Sequence, residues 1–421
     1  MTTTQTAQAR DILAANDRGG YTVPTHGLYP FQWNWDSAFV AMGFATFDVD
    51  RALAELERLA EGQWDDGMIP QIVFHKPADS YFPGPDVWGT RHRIATSGIT
   101  QPPAFALALK SVAAAARPGH ADRIAALMRV ADRYHRWFAN ARDPHRTGLV
   151  ATLHNWETGR DNSPEWDGPF ARVPETTTTV VRRKDTGHVD ASMRPTDAEY
   201  RRYIHLVDLY RSLDWRADAM LRDSPFRVAD VGTNAILLAA EEALLDLSPS
   251  FLGVVDATAI RWRAGALKRG LASLWNEEAG WFCSRDLVSG APIPVLVSAG
   301  LLPLLTDAPT PDQVEAMTGR LRLMLEGGLL PVPSTLPDQP GYDPKRYWRG
   351  PVWAIVNWMI ARGLERHGHG DLAARLDEAT REAIDGQGFC EYFDPGTRKG
   401  LGGDAFSWTA AIRLLLDQAS S

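Results

Sequence analysis

Apolar residues recur at helical spacing through most of the chain. Leu53, Leu56 and Ala60 stand at i, i+3 and i+7, a pattern that places them on one face of a helix. Asp50 offers that helix an N-cap and Gly62 ends it. A second stripe runs through Ile124, Leu127, Met128, Ala131, Tyr134 and Phe138. A third opens on a capping box, Thr196 to Glu199, and continues through Tyr200, Tyr203, Ile204 and Val207. The same period predicts helices near 97–116, 227–246, 255–275, 311–326, 371–384 and 405–417. Pro351 suits the first turn of a helix carrying Trp353, Val356 and Ile360. Strand signals are thin, with the β-branched run Thr176 to Val181 predicting local pairing at most. Strands and helices do not alternate, which argues against a parallel sheet. No Pro/Ser/Gly-rich linker or close repeat divides the chain, so the pattern predicts one all-α domain over residues 1–421.

Two stretches, 63–95 and 154–195, break the helical pattern. Loops longer than about 12–15 residues in a compact domain are usually functional or disordered. These contain Trp64, Tyr81, Phe82, Trp88, Trp156 and Trp166, a content that argues for ordered walls around an active site.

Composition sharpens the picture. The 421 residues include 44% hydrophobic positions and carry a formal net charge of −8 without a Lys/Arg block, which disfavours nucleic acid and anionic membranes as partners. Met1 to Ala15 is polar and threonine-rich, lacking the apolar centre of a signal peptide, and no apolar run approaches bilayer length. Cys283 and Cys390 form no disulfide framework and suit a reducing compartment. These features predict a cytoplasmic protein and leave homo-oligomerisation open. The unusual count is 15 Trp. Indole is costly in a core because its N–H needs a partner, whereas flat aromatic faces suit the C–H faces of sugar rings.

Four segments concentrate candidate chemistry. In YPFQWNWDSAF, Tyr29–Phe39, the residues Trp33, Trp35 and Asp36 stand beside Gln32 and Asn34. Such a set supplies faces for a ring and acceptors for its hydroxyls, or else a buried aromatic turn in which Asp36 caps the next helix. In NWETGRDNSPEWD, Asn155–Asp167, four carboxylates (Glu157, Asp161, Glu165 and Asp167) stand among Trp156 and Trp166, with Gly159 and Pro164 shaping a turn. A carboxyl that loses hydration beside indole keeps its proton to higher pH and can act as an acid. Arg160 would oppose that, so it is expected to point away or to engage another carboxylate; a solvated acidic loop is the alternative.

In RYWRGPVWAIVNW, Arg346–Trp358, aromatic residues flank a Gly-Pro turn whose Gly350 permits close approach to a ligand. In FCEYFDPGTRKGLGGDAFSWTA, Phe389–Ala410, Asp394 reads as turn chemistry and Asp404 as an N-cap. Glu391 is left as the carboxylate with the weakest structural duty. Two carboxylates remote in sequence, each among aromatics, fit hydrolysis of a glycosidic bond, one protonating the leaving oxygen and the other activating water. The chain has no P-loop and no HExxH motif, its 11 His are scattered, His367 and His369 read as an exposed turn, and GLGGD follows no clear strand. No cofactor or metal is expected.

Together these segments resemble glycoside hydrolase family 63 and its trehalase-like relatives, above all the small mannosylglycerate and glucosylglycerate hydrolases, over about residues 21–417. The resemblance implies an (α/α)6 barrel and inverting hydrolysis of an α-glycosidic bond, with Asp161 of GRDNSP as general acid and Glu391 of CEYFDP as general base. It assigns Tyr29, Trp33, Trp35 and Asp36 to the sugar pocket, and Tyr347, Trp348, Gly350 and Trp353 to substrate contacts. Tyr81 in YFPGP and Gln101 in ITQPP match positions reaching the glycerate. A glycerate carboxylate in an acidic protein needs a cation; Arg194 is the choice, with Arg202 the alternative. The glycine-rich opening of trehalases is absent, which disfavours trehalose. The expected substrate is therefore a 2-O-α-glucosyl- or mannosyl-glycerate. Trehalose, glucosylglycerol, sugar epimerisation and non-catalytic sugar binding are the rivals.

Overall fold

The computed structural model describes residues 4–329 and 331–419. Long helices dominate: α1 (Thr4–Asn16), α2 (Asn34–Ala45), α3 (Val49–Ala60), α4 (Phe105–Ala115), α5 (Ala121–Trp137) and α6 (Asp197–Ser212) in the first half. The second half adds α7 (Val231–Leu247), α8 (Ala257–Ala272), α9 (Pro311–Glu326), α10 (Ala354–Arg366), α11 (Gly370–Gln387) and α12 (Ser407–Ala419). The strands among the described residues are dipeptides paired in four antiparallel ribbons, such as Gln32–Trp33 with Ile72–Val73. The protein is all-α in class.

All residues of α2 are buried, as befits a helix without a polar face. It packs between α4 and α12; α4 packs on α7, and α7 on a 3-10 helix, Ser298–Leu305. That element packs on α10, which returns to α12 and completes a circuit. Amphipathic helices cover the circuit from outside: α3 on α2, α5 on α4, α8 on α7, α11 on α10 and α1 on α12. A second apolar cluster joins α6 to the irregular segments through Trp88, Trp156, Trp166, Phe170 and Tyr203. The stretches 63–95 and 154–195 are thus ordered walls, tied by contacts such as the stacked Phe170 and Tyr203 rings, 5.0 Å apart.

Several local expectations hold. The Thr196–Glu199 capping box forms, helix α9 spans Pro311–Glu326 as its period predicts, and Asp394 accepts the Gly396 and Thr397 N–H groups in a turn. Others shift for physical reasons. Asp48, not Asp50, caps α3 because its extended backbone lets its carboxylate accept the Arg51 N–H; Asp50 instead pairs with Arg123 at 2.7 Å. The helix expected over 97–116 begins only at Phe105, since Pro102 and Pro103 disfavour helix before them. Thr176 to Val181 forms no strand; the Thr178 and Thr179 N–H groups donate to Asp208. Pro351 precedes α10 rather than opening it, and Trp353 occupies the N-cap position. Asp404 does not cap α12, which starts at Ser407 with its N–H and hydroxyl bonded to the Pro24 and Val23 carbonyls. None of the described helices is long and apolar enough to cross a membrane.

Candidate active site

The N-terminus of α2, both irregular walls and the C-terminal segment meet around a cavity enclosing about 750 Å³ out to its mouth. Trp33 ends a strand at the N-cap position of α2, so Trp35 and Asp36 follow in the first turn and reach the cavity. Asp36 does not cap the helix. Burial holds its pKa well above the usual carboxylate range, and the charges of Glu391 and Glu55 push the same way.

Asp161 comes from the loop between Asn155–Thr158 and Pro164–Trp166. Gly159 begins the turn at φ 69°, and a Cβ there would stand 2.6 Å from the Trp35 indole. Both the dihedral and the space call for glycine. Arg160 turns away, as expected, and is buried against Glu165 at 2.7 Å and Asp230 at 2.8 Å. Asp230 also caps α7 through the Gly232 and Thr233 N–H groups. The Asp161 carbonyl accepts from Asn155 Nδ2 at 3.1 Å and the Tyr203 hydroxyl at 3.0 Å, while Asn162 Oδ1 accepts the Trp348 N–H at 3.0 Å. The backbone is held on both sides of Asp161, which itself lines the cavity. Burial pushes its pKa up to about 7, against an opposing pull from Arg194 and with a push from Glu391 and Asp185.

Glu391 is 1% exposed and adjoins the strand Tyr392–Phe393, which pairs with Gly400–Leu401. Its Oε2 accepts the Gly403 N–H at 3.1 Å and its Oε1 the Tyr29 hydroxyl at 3.1 Å. Gly402, at φ 74°, brings the loop close: a Cβ there would stand 2.4 Å from Oε2. The GLGGD stretch thus cradles this carboxylate. Burial raises the Glu391 pKa, with Arg194, Gly403 and Tyr29 working against the rise.

Of the two candidate arginines, Arg194 faces the cavity. Its Nη2 donates to the Tyr29 hydroxyl at 2.8 Å, its Nε to Asp185 at 3.2 Å, and its guanidinium lies 4.1 Å from the centre of the Tyr347 ring. Arg202 is spent elsewhere, on the Val173 carbonyl and Glu175. Tyr29, Trp33, Trp35, Asp36, Tyr81, Gln101 and Tyr347 all line the cavity with Asp161, Arg194 and Glu391.

The RYWRGPVW segment corrects the expectation at three positions. Trp348 and Trp353 are not on the cavity wall but behind it, stacked in parallel at 3.7 Å. Trp348 backs Trp35 with ring centres 6.0 Å apart, and Trp353 packs on Trp408 at 5.6 Å. Gly350 is not on the cavity wall either; it allows a close approach to the Asp343 carbonyl of its own loop, 2.5 Å from where a Cβ would sit. Sequence reasoning missed Asp185, Tyr200 and Trp408 on the wall. Asp185 follows Arg182, Arg183 and Lys184, a charge run that reads as a solvated turn; in the fold it is shared between Arg183 at 2.8 Å and Arg194 at 3.2 Å.

The Asp161 environment has a thermodynamic signature. Its pKa of about 7 in the folded protein exceeds the 3.8 of an ordinary Asp, so the folded state holds a proton that the unfolded chain releases between those values. Stability from this group is full below pH ~4 and is lost as pH rises to ~7. Asp161→Asn should therefore stabilise the protein by ~1–3 kcal/mol at pH 8, and by less as pH falls towards 5. Urea unfolding of both proteins across that range measures the difference; a pH-independent gap would refute this assignment of charge.

Residues 29–409 match the family described as the mannosylglycerate hydrolase MGH1-like glycoside hydrolase domain. The chain is 45% identical to mannosylglycerate hydrolase MGH1 of Selaginella moellendorffii, an alignment covering 98% of this chain and 86% of that protein. It is 35% identical to glucosylglycerate hydrolase of Mycolicibacterium hassiacum, covering 97% and 96% respectively. The crystal structure of the family 63 mannosylglycerate hydrolase from Thermus thermophilus with Tris and D-glycerate superposes with a TM-score of 0.94 at 43% identity, over 97% of this chain and 99% of that one.

Proposed function

Since the chain belongs to the mannosylglycerate hydrolase MGH1-like family of glycoside hydrolases, we propose that it cleaves 2-O-α-D-glucosylglycerate, 2-O-α-D-mannosylglycerate or both to hexose and D-glycerate with inversion. Asp161 is the general acid and Glu391 the general base. Water, deprotonated by Glu391, bonds to the anomeric carbon while the bond to the glycerate oxygen breaks and that oxygen takes the Asp161 proton. The observation that carries this reading is one cavity lined by both Asp161 and Glu391, which differ in their hydrogen-bond partners, with the buried Arg194 guanidinium on the same wall. Burial raises the pKa of both, that of Asp161 to about 7; Glu391 in addition accepts two hydrogen bonds and has Arg194 3.7 Å away, which work against the rise and favour its ionised form.

Trp33, Trp35 and Asp36 would hold the hexose, with Tyr29 bridging to the base, and Tyr81 and Gln101 would reach the glycerate. Arg194 would take the glycerate carboxylate through Nη1, which is buried and has no hydrogen-bond partner. We read the closed circuit of inner helices, with its outer layer, as a six-hairpin (α/α)6 barrel forming one domain. The free thiols of Cys283 and Cys390 support assignment of the reaction to the cytoplasm.

Proton NMR during digestion of both conjugates tests the proposal, with the β-hexose expected to appear first. Arg194→Met is expected to lower kcat/KM on either conjugate by about 100-fold. Initial release of the α-anomer would overturn inversion, and undiminished kcat/KM in the variant would remove Arg194 from recognition.

A further inference from the structure

Arg194 stands where it can act on the reaction as well as on binding. Its Nη1 lies 3.7 Å from Glu391 Oε1, and its Nη2 donates to the Tyr29 hydroxyl, which donates to the same oxygen. A cation so placed, directly and through one hydroxyl, stabilises the ionised carboxylate and makes it a poorer acceptor for a proton from water. We propose that the carboxylate of the substrate, by pairing with Arg194, releases Glu391 from this restraint, so that the charge of the leaving group switches on the base. The inference rests on the hexosyl-glycerate reading above and adds a role in turnover to one in recognition.

The surroundings favour such a switch. Arg194 is 5% exposed, and charges on buried groups act on one another far more strongly than in solvent. Its Nε is taken by Asp185 and its Nη2 by Tyr29, while Nη1 is buried without a hydrogen-bond partner. Asp185 cancels only part of the Arg194 charge, because it is shared with Arg183. The remaining groups around Glu391 are the Gly403 N–H and the carboxylates Asp36 and Asp161; Tyr347 stacks on the guanidinium and Tyr392 lies beside it. None of these supplies a second cation to the base. A carboxylate on Nη1 would set a negative charge against the one positive charge that Glu391 feels most.

The same pairing acts on the acid. Arg194 opposes the rise in the Asp161 pKa as it does that of Glu391. Neutralising it therefore strengthens the base and lets the acid keep its proton to higher pH. Both limbs of the pH–rate profile move in one direction, upwards. If Arg194 served binding alone, a substrate carboxylate would change KM and leave kcat and the profile as they are.

α-D-Glucosyl and α-D-mannosyl fluoride provide the test, because they carry no carboxylate and leave the glycerate side of the cavity open. In this reaction water bonds to the anomeric carbon, the carbon–fluorine bond breaks, Glu391 takes the water proton and Asp161 supplies the proton to fluoride. Formate or D-glycerate, added at matched ionic strength, is expected to raise kcat on the fluoride by about 5- to 50-fold and to shift both limbs of its pH profile upwards. Arg194→Met is expected to show no response to either anion. Anions that leave kcat unchanged or only inhibit, or that accelerate Arg194→Met equally, overturn the switch while the glycerate conjugates are still hydrolysed. Failure of the wild-type protein to hydrolyse either conjugate refutes the underlying reading instead.

Discussion

Asp161→Asn is expected to fold normally and to lower kcat on the hexosyl-glycerate substrate by about 10³-fold, with little change in affinity. An amide cannot donate the proton that the departing glycerate oxygen requires, and general acid catalysis is typically worth about 10²–10⁴ in rate. Glu391→Gln should cost as much for the opposite reason, since an amide cannot accept the proton of the attacking water. The two roles separate on a hexosyl fluoride. Fluoride departs with less protonation than an alkoxide, so Asp161→Asn should retain a larger share of its activity there, whereas Glu391→Gln should lose both reactions. Circular dichroism and isothermal titration of the inactive variants with the conjugate establish fold and binding. Near-normal turnover by either purified variant would falsify its assignment, and equal losses on fluoride would undo the division of roles.

The second large effect concerns the support behind the acid. Arg160→Met is expected to destabilise the protein by about 3–5 kcal/mol, because it removes one member of a buried charge cluster and leaves the others without a cation. Arg160 bonds to Glu165 and Asp230 with less than a twentieth of its surface exposed. Even with Arg160 in place, burial lifts the Glu165 pKa to about 7; without it that pKa must rise further. A group whose folded pKa is raised loses its stabilising contribution as pH increases. The loss of stability in Arg160→Met should therefore be larger at pH 8 than at pH 5.5. Denaturant unfolding at the two values measures this, and an unchanged midpoint would show that the cluster does not hold the loop. Because the cluster joins the Asp161 loop to the start of α7, activity should fall as well.

Much of the architecture could be read before any coordinates. The stripe Ile124, Leu127, Met128, Ala131 and Tyr134 is buried on α5, and the box at Thr196 starts α6, because spacing and capping are relations among residues a few positions apart. Glu391 stood out for a different reason, as an acid among aromatics whose neighbours already account for the local turn. Asp161 is one of four acids in its segment, and only the family resemblance singled it out; both line the cavity.

The remaining features depend on contacts that no local pattern contains. Arg194 meets the Tyr29 hydroxyl across 165 positions, and that hydroxyl meets Glu391 across 362; the sequence could prefer Arg194 to Arg202, but only these distant contacts put it on the cavity wall beside Glu391. Trp348 and Trp353 carry the same composition signal as Trp33 and Trp35, yet they stack behind the wall and the latter pair lines it. Chain chemistry names helix, turn and acid because those preferences act within a few residues. Which side chains share one cavity, and with what charge, follows from packing between distant segments, where the direction of each Cα–Cβ bond is set by the whole fold.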